Sequence, residues 1–135
     1  MREISIDMTS GIPMVDIMIW SRIKNGYQSI SLVIDTGATV TVISPDILDA
    51  LGYVPCSKNK KRVTTASGTE HVDEAVLDKI MIAGLELEDV GVHSLMFPKE
   101  SFSKGVIGVN VLSEFDMFIS LQNKVLKLMP VNKNV

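Results

Sequence analysis

Apolar and polar residues alternate with a period of two along most of the chain, which is the pattern of strands with one buried face. The alternation is clearest over residues 14–20 and 29–35. Asn25 and Gly26 lie between these two runs, and because both residues tolerate a positive φ, the two runs predict a β-hairpin. The same pattern predicts further strands over residues 3–8, 40–44, 62–72 (two strands around a tight turn at Ser67-Gly68), 75–84, 85–95, 115–121 and 124–131.

One helix has recognisable ends in the sequence. Ser44 suits the N-cap, Pro45 suits the first helical position and Gly52 suits the stop, so a helix is predicted between Ser44 and Gly52. A second, shorter helical segment is expected within residues 104–115, after a strand punctuated by glycines. Many short strands with one or two short helices predict a mainly β domain, arranged as a barrel or a sandwich.

Composition and charge narrow the class of protein. The 135 residues suit a single domain spanning 1–135, and 46% apolar with 21% charged residues predict a packed core rather than disorder. The net charge of −3, with both signs interspersed, argues against a nucleic-acid surface. No signal peptide and no membrane segment is expected. The single cysteine, Cys56, excludes an intrachain disulfide and fits a reducing compartment, so a cytoplasmic location is expected.

Asp35 is the unusual residue of an otherwise apolar strand. It ends the run Leu32–Ile34 and is followed by Thr36 and Gly37. A carboxylate at the end of a buried strand needs a hydrogen bond, a counter-charge or a proton to offset its desolvation. Gly37 can offer its N–H and Thr36 its hydroxyl, so the local chemistry favours a hydrogen-bonded acid suited to proton transfer. The structural alternative is that Asp35 only caps a β-turn.

Other kinds of site have weaker support in the sequence. His71 and His93 lack the spacing of a metal motif, and no glycine-rich phosphate loop is present. Cys56 has no evident partner base, so it is interpreted as an incidental thiol. We therefore expect no metal and no cofactor.

Three features together resemble the retropepsin-type aspartic proteases. They are the run Ile34–Ala38, which contains Asp-Thr-Gly, a hairpin at residues 64–69, and Val106-Ile107-Gly108 followed by a short helix. The resemblance covers nearly the whole chain and in detail is closest to the bacterial and cellular retropepsin-like domains. It implies a closed acid-protease-like barrel in which residues 106–108 pack behind the loop that carries the aspartate.

The resemblance also implies an activity and a set of site residues. Members of this family act as homodimers that cleave protein or peptide substrates, with one catalytic aspartate from each chain. The single Asp-Thr-Gly of this chain agrees with that arrangement. The catalytic residues that the resemblance implies are Asp35, Thr36 and Gly37. The residues that it implies for substrate binding, in the catalytic loop and in a flap that closes over it, are Ala38, Thr65, Ala66, Ser67 and Gly68.

Two departures from the retroviral pattern bear on dimerisation. An arginine often follows the late glycine in retroviral members, and this chain has Val109 and Asn110 there. Retroviral chains also join through their terminal strands; residues 3–8 and 124–131 are the candidates here, with Pro130 expected to confine its strand to a sheet edge. Two alternatives stay open: a non-proteolytic dimer that binds a peptide or serves as an assembly module, and a monomeric β-domain.

Overall fold

The computed structural model describes residues 2–65, 68–98 and 103–131, with residues 57–65 and 68–71 described by their backbone. Two short helices, α1 (Pro45–Leu51) and α2 (Val109–Leu112), lie between strands. The strands are β1 (Arg2–Ser5), β2 (Met14–Ser21), β3 (Gly26–Ile34), β4 (Thr41–Ile43), β5 (Cys56–Thr65), β6 (Gly68–Ile82), β7 (Leu85–Ser94), β8 (Gly105–Ile107), β9 (Phe115–Ser120) and β10 (Val125–Pro130).

Six strands close into a barrel. The larger sheet has the order β2-β3-β8-β4-β7-β6-β5, and β2 also pairs with β6 through Met18↔Met81 and Ile19↔Ile80. This additional pairing joins the two sides of the sheet and leaves β5 outside the closed ring. The predicted mainly β fold, with a closed barrel and two short helices, is confirmed, and the sandwich alternative is excluded.

Inward-facing apolar side chains of the barrel strands fill the interior of the barrel. In β2, Val15, Ile17 and Ile19 are buried, whereas Asp16 between them is exposed. Burial of such side chains stabilises the fold by roughly 25 cal/mol per Å² of apolar surface removed from water. The period-two alternation that predicted this strand therefore corresponds to one fully buried face and one face of mixed exposure. Other fully buried aliphatic side chains include Leu32, Ile43, Leu77, Ile80, Ile82 and Ile107.

The short strand β8 lies between β3 and β4. It runs parallel to β3, with Ile34 opposite Ile107, and antiparallel to β4. Gly105 begins β8 where the backbones are in close contact, since a Cβ there would meet the carbonyl oxygen of Val42. The carboxyl end of β3, where Asp35 follows, is thus held inside the sheet rather than at its edge.

The two ends of the described chain meet in a separate three-stranded sheet with the order β1-β10-β9. β1 pairs with β10 from Arg2↔Leu128 to Ser5↔Val125, so the two terminal strands pair within one chain. β10 is the middle strand, and Pro130 is its last residue. The expectation that Pro130 confines its strand to an edge is wrong, because a proline at the end of a strand leaves the rest of the ladder intact.

Several strand boundaries differ from the sequence predictions, among them those of β1, β5 and β6, since β5 begins at Cys56 rather than at residue 62. β1 is shorter than expected, and Asp7 forms an isolated bridge with Met14 instead. β6 runs without a break from Gly68 to Ile82, although the sequence suggested two strands there. Pairing with β7 continues through the polar residues 73 and 74 of β6. A neighbouring strand therefore keeps this segment extended where its own side-chain pattern is weak.

Candidate active site

Asp35 opens a loop, residues 35–40, that leaves β3 inside the sheet; we call it the Asp35 loop. The backbone N–H of Asp35 donates a hydrogen bond to the carbonyl oxygen of Ile107 at 3.0 Å. The N–H of Ile34 donates to the carbonyl oxygen of Pro13, before β2, also at 3.0 Å. Neighbouring segments on both sides therefore fix the backbone at the point where the carboxyl group projects.

The turn that follows Asp35 orients its carboxyl group. The Gly37 N–H donates to Oδ1 of Asp35 at 2.9 Å, and the Ala38 N–H donates to the Asp35 carbonyl oxygen at 3.3 Å. A Cβ at Gly37 would lie 3.2 Å from Oδ1, which is tighter than ordinary van der Waals contact. Asp35 is partly buried, whereas Thr36 and Gly37 are exposed. The single chain thus presents an oriented carboxyl group close to its surface.

The segment after β8 supports the Asp35 loop from behind. The Val109 N–H donates to the carbonyl oxygen of Ala38 at 2.8 Å. A Cβ on Gly108 would come within 2.6 Å of the carbonyl carbon of Val40, so only glycine allows the two backbones to approach so closely. The predicted packing of residues 106–108 behind this loop is confirmed.

Thr41 and Asn110 tie the end of the Asp35 loop to α2. Oδ1 of Asn110 accepts hydrogen bonds from the Thr41 N–H at 2.8 Å and from the Thr41 hydroxyl at 2.9 Å. Oγ1 of Thr41 accepts in turn from the Gly108 N–H at 3.0 Å. Nδ2 of Asn110 donates to the carbonyl oxygen of Gly91 in β7 at 2.8 Å. Because Thr41 is buried, these bonds satisfy polar groups that water does not reach.

The sequence did not predict this contact between Thr41 and Asn110, which are 69 positions apart. The one local signal is that Thr41 shares the buried face of β4 with Ile43. A hydroxyl on a buried face requires a hydrogen-bond partner, but the strand pattern does not identify that partner.

The predicted site residues belong to two separate elements. The catalytic candidates and Ala38 are consecutive in the Asp35 loop. Thr65 and Gly68 pair with each other at the end of the β5–β6 hairpin. Ala66 and Ser67 lie outside the described residues. Contact of these four hairpin residues with a substrate therefore stays a prediction.

A cleft of about 260 Å³ opens beside the Asp35 loop. Val40 and Asn110 line it on one side, and residues 74–76 and 91–93 of β6 and β7 line it on the other. Nε2 of His93 lies 3.6 Å from a carboxylate oxygen of Glu74 within it. The cleft therefore combines apolar walls with a polar pair, and Val40 is the residue through which the Asp35 loop reaches it.

A second cleft, of about 290 Å³, has Arg22 and Tyr53 in its lining. The Arg22 guanidinium donates two hydrogen bonds to the Asp78 carboxylate, at 3.0 and 2.9 Å. These bonds lower the pKa of Asp78 and raise the pKa of Arg22. The guanidinium also lies 4.5 Å from the centroid of the Tyr53 ring, and burial raises the pKa of Tyr53. Arg22 and Tyr53 both line this cleft, and both are engaged in contacts that hold the outside of the barrel together.

Among residues 2–65, 68–98 and 103–131, no three His, Cys, Asp or Glu side chains lie close enough together to hold a metal ion. No helix in this described part is long and apolar enough to cross a membrane.

Comparisons with known proteins agree with this geometry. A family model described as aspartyl protease matches residues 20–111, which is more than half of the chain and includes the Asp35 loop and Gly108. Among solved structures, the chain is similar to the crystal structure of a retropepsin-like aspartic protease from Rickettsia conorii, with a TM-score of 0.65 and 19% sequence identity. That match covers 93% of this chain and 87% of the other, and at this identity it concerns the fold alone. No curated protein sequence matched the chain.

Proposed function

This chain belongs to the aspartyl protease family, and from that premise we propose that it is a homodimeric aspartic endopeptidase. The observation that carries the proposal is the fixed orientation of the Asp35 carboxyl group. The Gly37 N–H donates to this group at 2.9 Å, and the Val109 N–H holds the same loop through the carbonyl oxygen of Ala38. The chain has a single Asp-Thr-Gly, so a pair of catalytic carboxyl groups requires a second chain.

In the proposed dimer, Asp35 of each chain meets its copy at the two-fold axis. Two carboxylates in contact are costly to keep ionised together, so the pair holds one proton. The ionised carboxylate accepts a proton from a water molecule as the water oxygen attacks the carbonyl carbon of the peptide bond. The protonated carboxyl group gives its proton to the carbonyl oxygen, and a gem-diol forms.

The second half of the reaction reverses the roles of the two carboxyl groups. The carboxyl group that gained the water proton donates a proton to the leaving nitrogen as the carbon–nitrogen bond breaks. The gem-diol returns a proton to the other carboxylate, so the pair ends with one proton, as it began. This sequence requires no covalent intermediate, and the pair titrates as a unit.

Neighbouring residues take supporting roles in this proposal. The Gly37 N–H keeps one carboxylate oxygen in a fixed direction. Thr36 is exposed, so its hydroxyl is free to bond across the dimer axis. An extended peptide substrate would lie between the Asp35 loop and the β5–β6 hairpin, with its side chains in alternating pockets. We retain the cytoplasm as the proposed location, supported by the single cysteine.

The substitution Asp35→Asn tests the proposal, because it keeps the shape of the side chain and removes its acid–base chemistry. We expect the wild-type chain to cleave a mixed peptide library somewhere between roughly pH 3 and 8, and to be blocked by statine-type peptide inhibitors. We expect Asp35→Asn to lose activity by about a thousandfold or more. Asp49→Asn, at an exposed position of α1, is the matched control and should keep full activity.

Cleavage that survives in Asp35→Asn would falsify the mechanism. Full activity from a chain that sediments strictly as a monomer would also contradict it, because one carboxyl group cannot supply both roles. Peptide binding without cleavage by the wild-type chain would support the non-proteolytic dimer instead.

A further inference from the structure

The cleft of about 260 Å³ that contains Val40, here called the Val40 cleft, is built from two elements that the proposed function places around the peptide. Val40 belongs to the Asp35 loop, and residues 74–76 belong to β6, the strand that leads out of the β5–β6 hairpin. Residues 91–93 of β7 and Asn110 complete the described part of its lining. The cleft is thus bounded both by the loop and by the strand that carries the hairpin.

Most of the described lining of the Val40 cleft is apolar. Val40, Ala75, Val76 and Val92 contribute aliphatic side chains, and Gly91 leaves room because it has none. Val76 is 54% exposed and Val92 is 2% exposed, so the lining includes an apolar side chain open to solvent as well as a buried one. Walls of this kind suit the long aliphatic stem of a side chain whose end is polar.

Glu74 supplies a negative charge in this apolar surround. With His93 neutral, it is the single charged side chain among the described residues that line the cleft. Strand pairing fixes its place, because Glu74 lies opposite His93 on β7 and opposite Cys56 on β5. Its side chain is 27% exposed, so the carboxylate is partly shielded from water. A charge in such a position interacts more strongly with an opposite charge than it would on an open surface.

The Glu74 carboxylate has the capacity to accept from a further donor. Nε2 of His93 lies 3.6 Å from a Glu74 oxygen, which is longer than an N–H···O hydrogen bond of about 2.7–3.2 Å. A carboxylate has about four lone-pair directions, so one or two existing partners leave room for an ammonium or guanidinium group. Charge-assisted hydrogen bonds to such a group are stronger than those between neutral groups.

The second cleft, of about 290 Å³, is a poorer place for a cation although it shares Glu74, Ala75 and Val76 with the Val40 cleft. It also contains the Arg22 guanidinium, and a second positive charge beside it is disfavoured. No lysine or arginine occurs among the described residues that line the Val40 cleft. A cationic group therefore fits better on the side of β6 that includes Val40.

We propose that the Val40 cleft takes the side chain of a lysine or arginine residue of the peptide substrate. The aliphatic stem lies against Val40 and Val76, and the cationic group binds the Glu74 carboxylate. This inference rests on the proposed function, which supplies the peptide. It makes Glu74 a specificity-determining residue and His93 a neighbour that holds Glu74 in place. The substrate class is accordingly a peptide with a basic residue at one fixed position relative to the scissile bond.

Paired substrates test this assignment. Fluorogenic peptides carry either lysine or norleucine, which has the same aliphatic stem without the ammonium group, at each position in turn around the scissile bond. At one position the wild-type chain is expected to show at least about a tenfold higher kcat/KM for lysine than for norleucine. Glu74→Gln should abolish this preference and change kcat/KM for the norleucine peptide by less than about twofold.

Two further variants separate contact from a general effect of charge. Glu88→Gln is the matched control, because Glu88 is an exposed residue of β7 outside the described lining of the cleft and loses the same charge. It should keep the wild-type preference for lysine. Glu74→Lys reverses the charge and should favour glutamate over glutamine at the same substrate position. Each readout is a ratio of two substrates on one enzyme, so partial unfolding lowers both values and leaves the ratio unchanged.

Either of two results overturns the inference. The first is equal kcat/KM for lysine and norleucine peptides at every position with the wild-type chain. The second is a lysine preference that survives in Glu74→Gln, because a different group would then recognise the cation.

Peptide binding separates this inference from the proposed function. Asp35→Asn leaves the lining of the Val40 cleft unchanged, so the same peptides can be titrated against it by calorimetry, with and without Glu74→Gln. Cleavage by the wild-type chain without a lysine preference makes the cleft assignment wrong and leaves the protease assignment standing. If the wild-type chain cleaves nothing, but lysine peptides bind about tenfold tighter than norleucine peptides and Glu74→Gln removes the difference, the cleft is supported and the protease assignment is wrong. Neither cleavage nor binding contradicts both.

Discussion

Single residues that carry no acid–base chemistry determine the shape of the Asp35 loop. Thr41 is 2% exposed, and its hydroxyl donates to Asn110 and accepts from the Gly108 N–H. Removing a buried hydroxyl of this kind leaves its former partners unsatisfied, at a cost of about 1–3 kcal/mol. The attachment of the Asp35 loop to α2 thus includes a threonine that directly follows the loop.

We therefore expect Thr41→Val, which is close to isosteric, to lower the free energy of unfolding by about 2 kcal/mol. Urea unfolding at neutral pH measures this change. Thr39→Val, at an exposed position of the Asp35 loop, is the matched control and should change stability by less than about 0.5 kcal/mol. Equal stability of Thr41→Val and the wild-type chain would mean that the hydroxyl does not support the loop.

The sequence revealed the local part of the site and not the distant part. Asp35 and Gly37 are two positions apart, so an acid followed by a glycine N–H donor was visible from the residues alone. The bond between Thr41 and Asn110 depends on how β4 and α2 come together in the fold. Polar residues at those positions have many possible partners, and only the folded structure selects one.

At the level of elements, the junction between β8 and α2 is the most constrained part of the site. A Cβ on Gly108 would meet three backbone atoms: the carbonyl carbon of Val40 at 2.6 Å, the Ala38 oxygen at 2.8 Å and the Thr41 nitrogen at 2.8 Å. Backbone atoms cannot rotate away as the end of a side chain can. Any side chain at this position must push the Asp35 loop away from α2.

Gly108→Ala is accordingly expected to destabilise the chain by about 3 kcal/mol and to reduce proteolysis more than the loss of folded protein explains. Thermal unfolding and the turnover of folded enzyme measure the two effects. Gly91→Ala is the matched control, because a Cβ there has no atom within 4 Å, and its stability should stay within about 0.5 kcal/mol of wild type. Normal activity of Gly108→Ala would show that the loop tolerates displacement.

Strands were more predictable than their arrangement. The alternation over residues 14–20 correctly predicted β2, because side-chain direction in a strand is a local property. The parallel pairing of β3 with β8 joins residues 34 and 107, and the pairing of β2 with β6 joins residues 19 and 80. Neither pairing has a local signal, so the closed barrel followed from a family resemblance rather than from the strand pattern.

At the level of the whole molecule, one chain holds half of the proposed site. Both terminal strands are used within the chain, since β1 pairs with β10. Within the part that the structure describes, Thr36 and Gly37 of the Asp35 loop are exposed. Stable interfaces usually bury about 1,200–2,000 Å² in total, so we expect the two loops to supply only part of the contact in the proposed dimer.

A mixing experiment tests whether each active unit needs two intact copies of Asp35. When wild-type chains exchange freely with Asp35→Asn chains, random pairing should leave about half of the activity per wild-type chain at equal amounts, and about one fifth at a fourfold excess of the variant. The reason is that a mixed pair has one ionisable carboxyl group and cannot act as both acid and base. Asp49→Asn chains, added in the same amounts, should instead raise the total activity in proportion to their concentration. Activity that is indifferent to added Asp35→Asn, under conditions where isotope-labelled chains demonstrably exchange, would mean that each chain works alone.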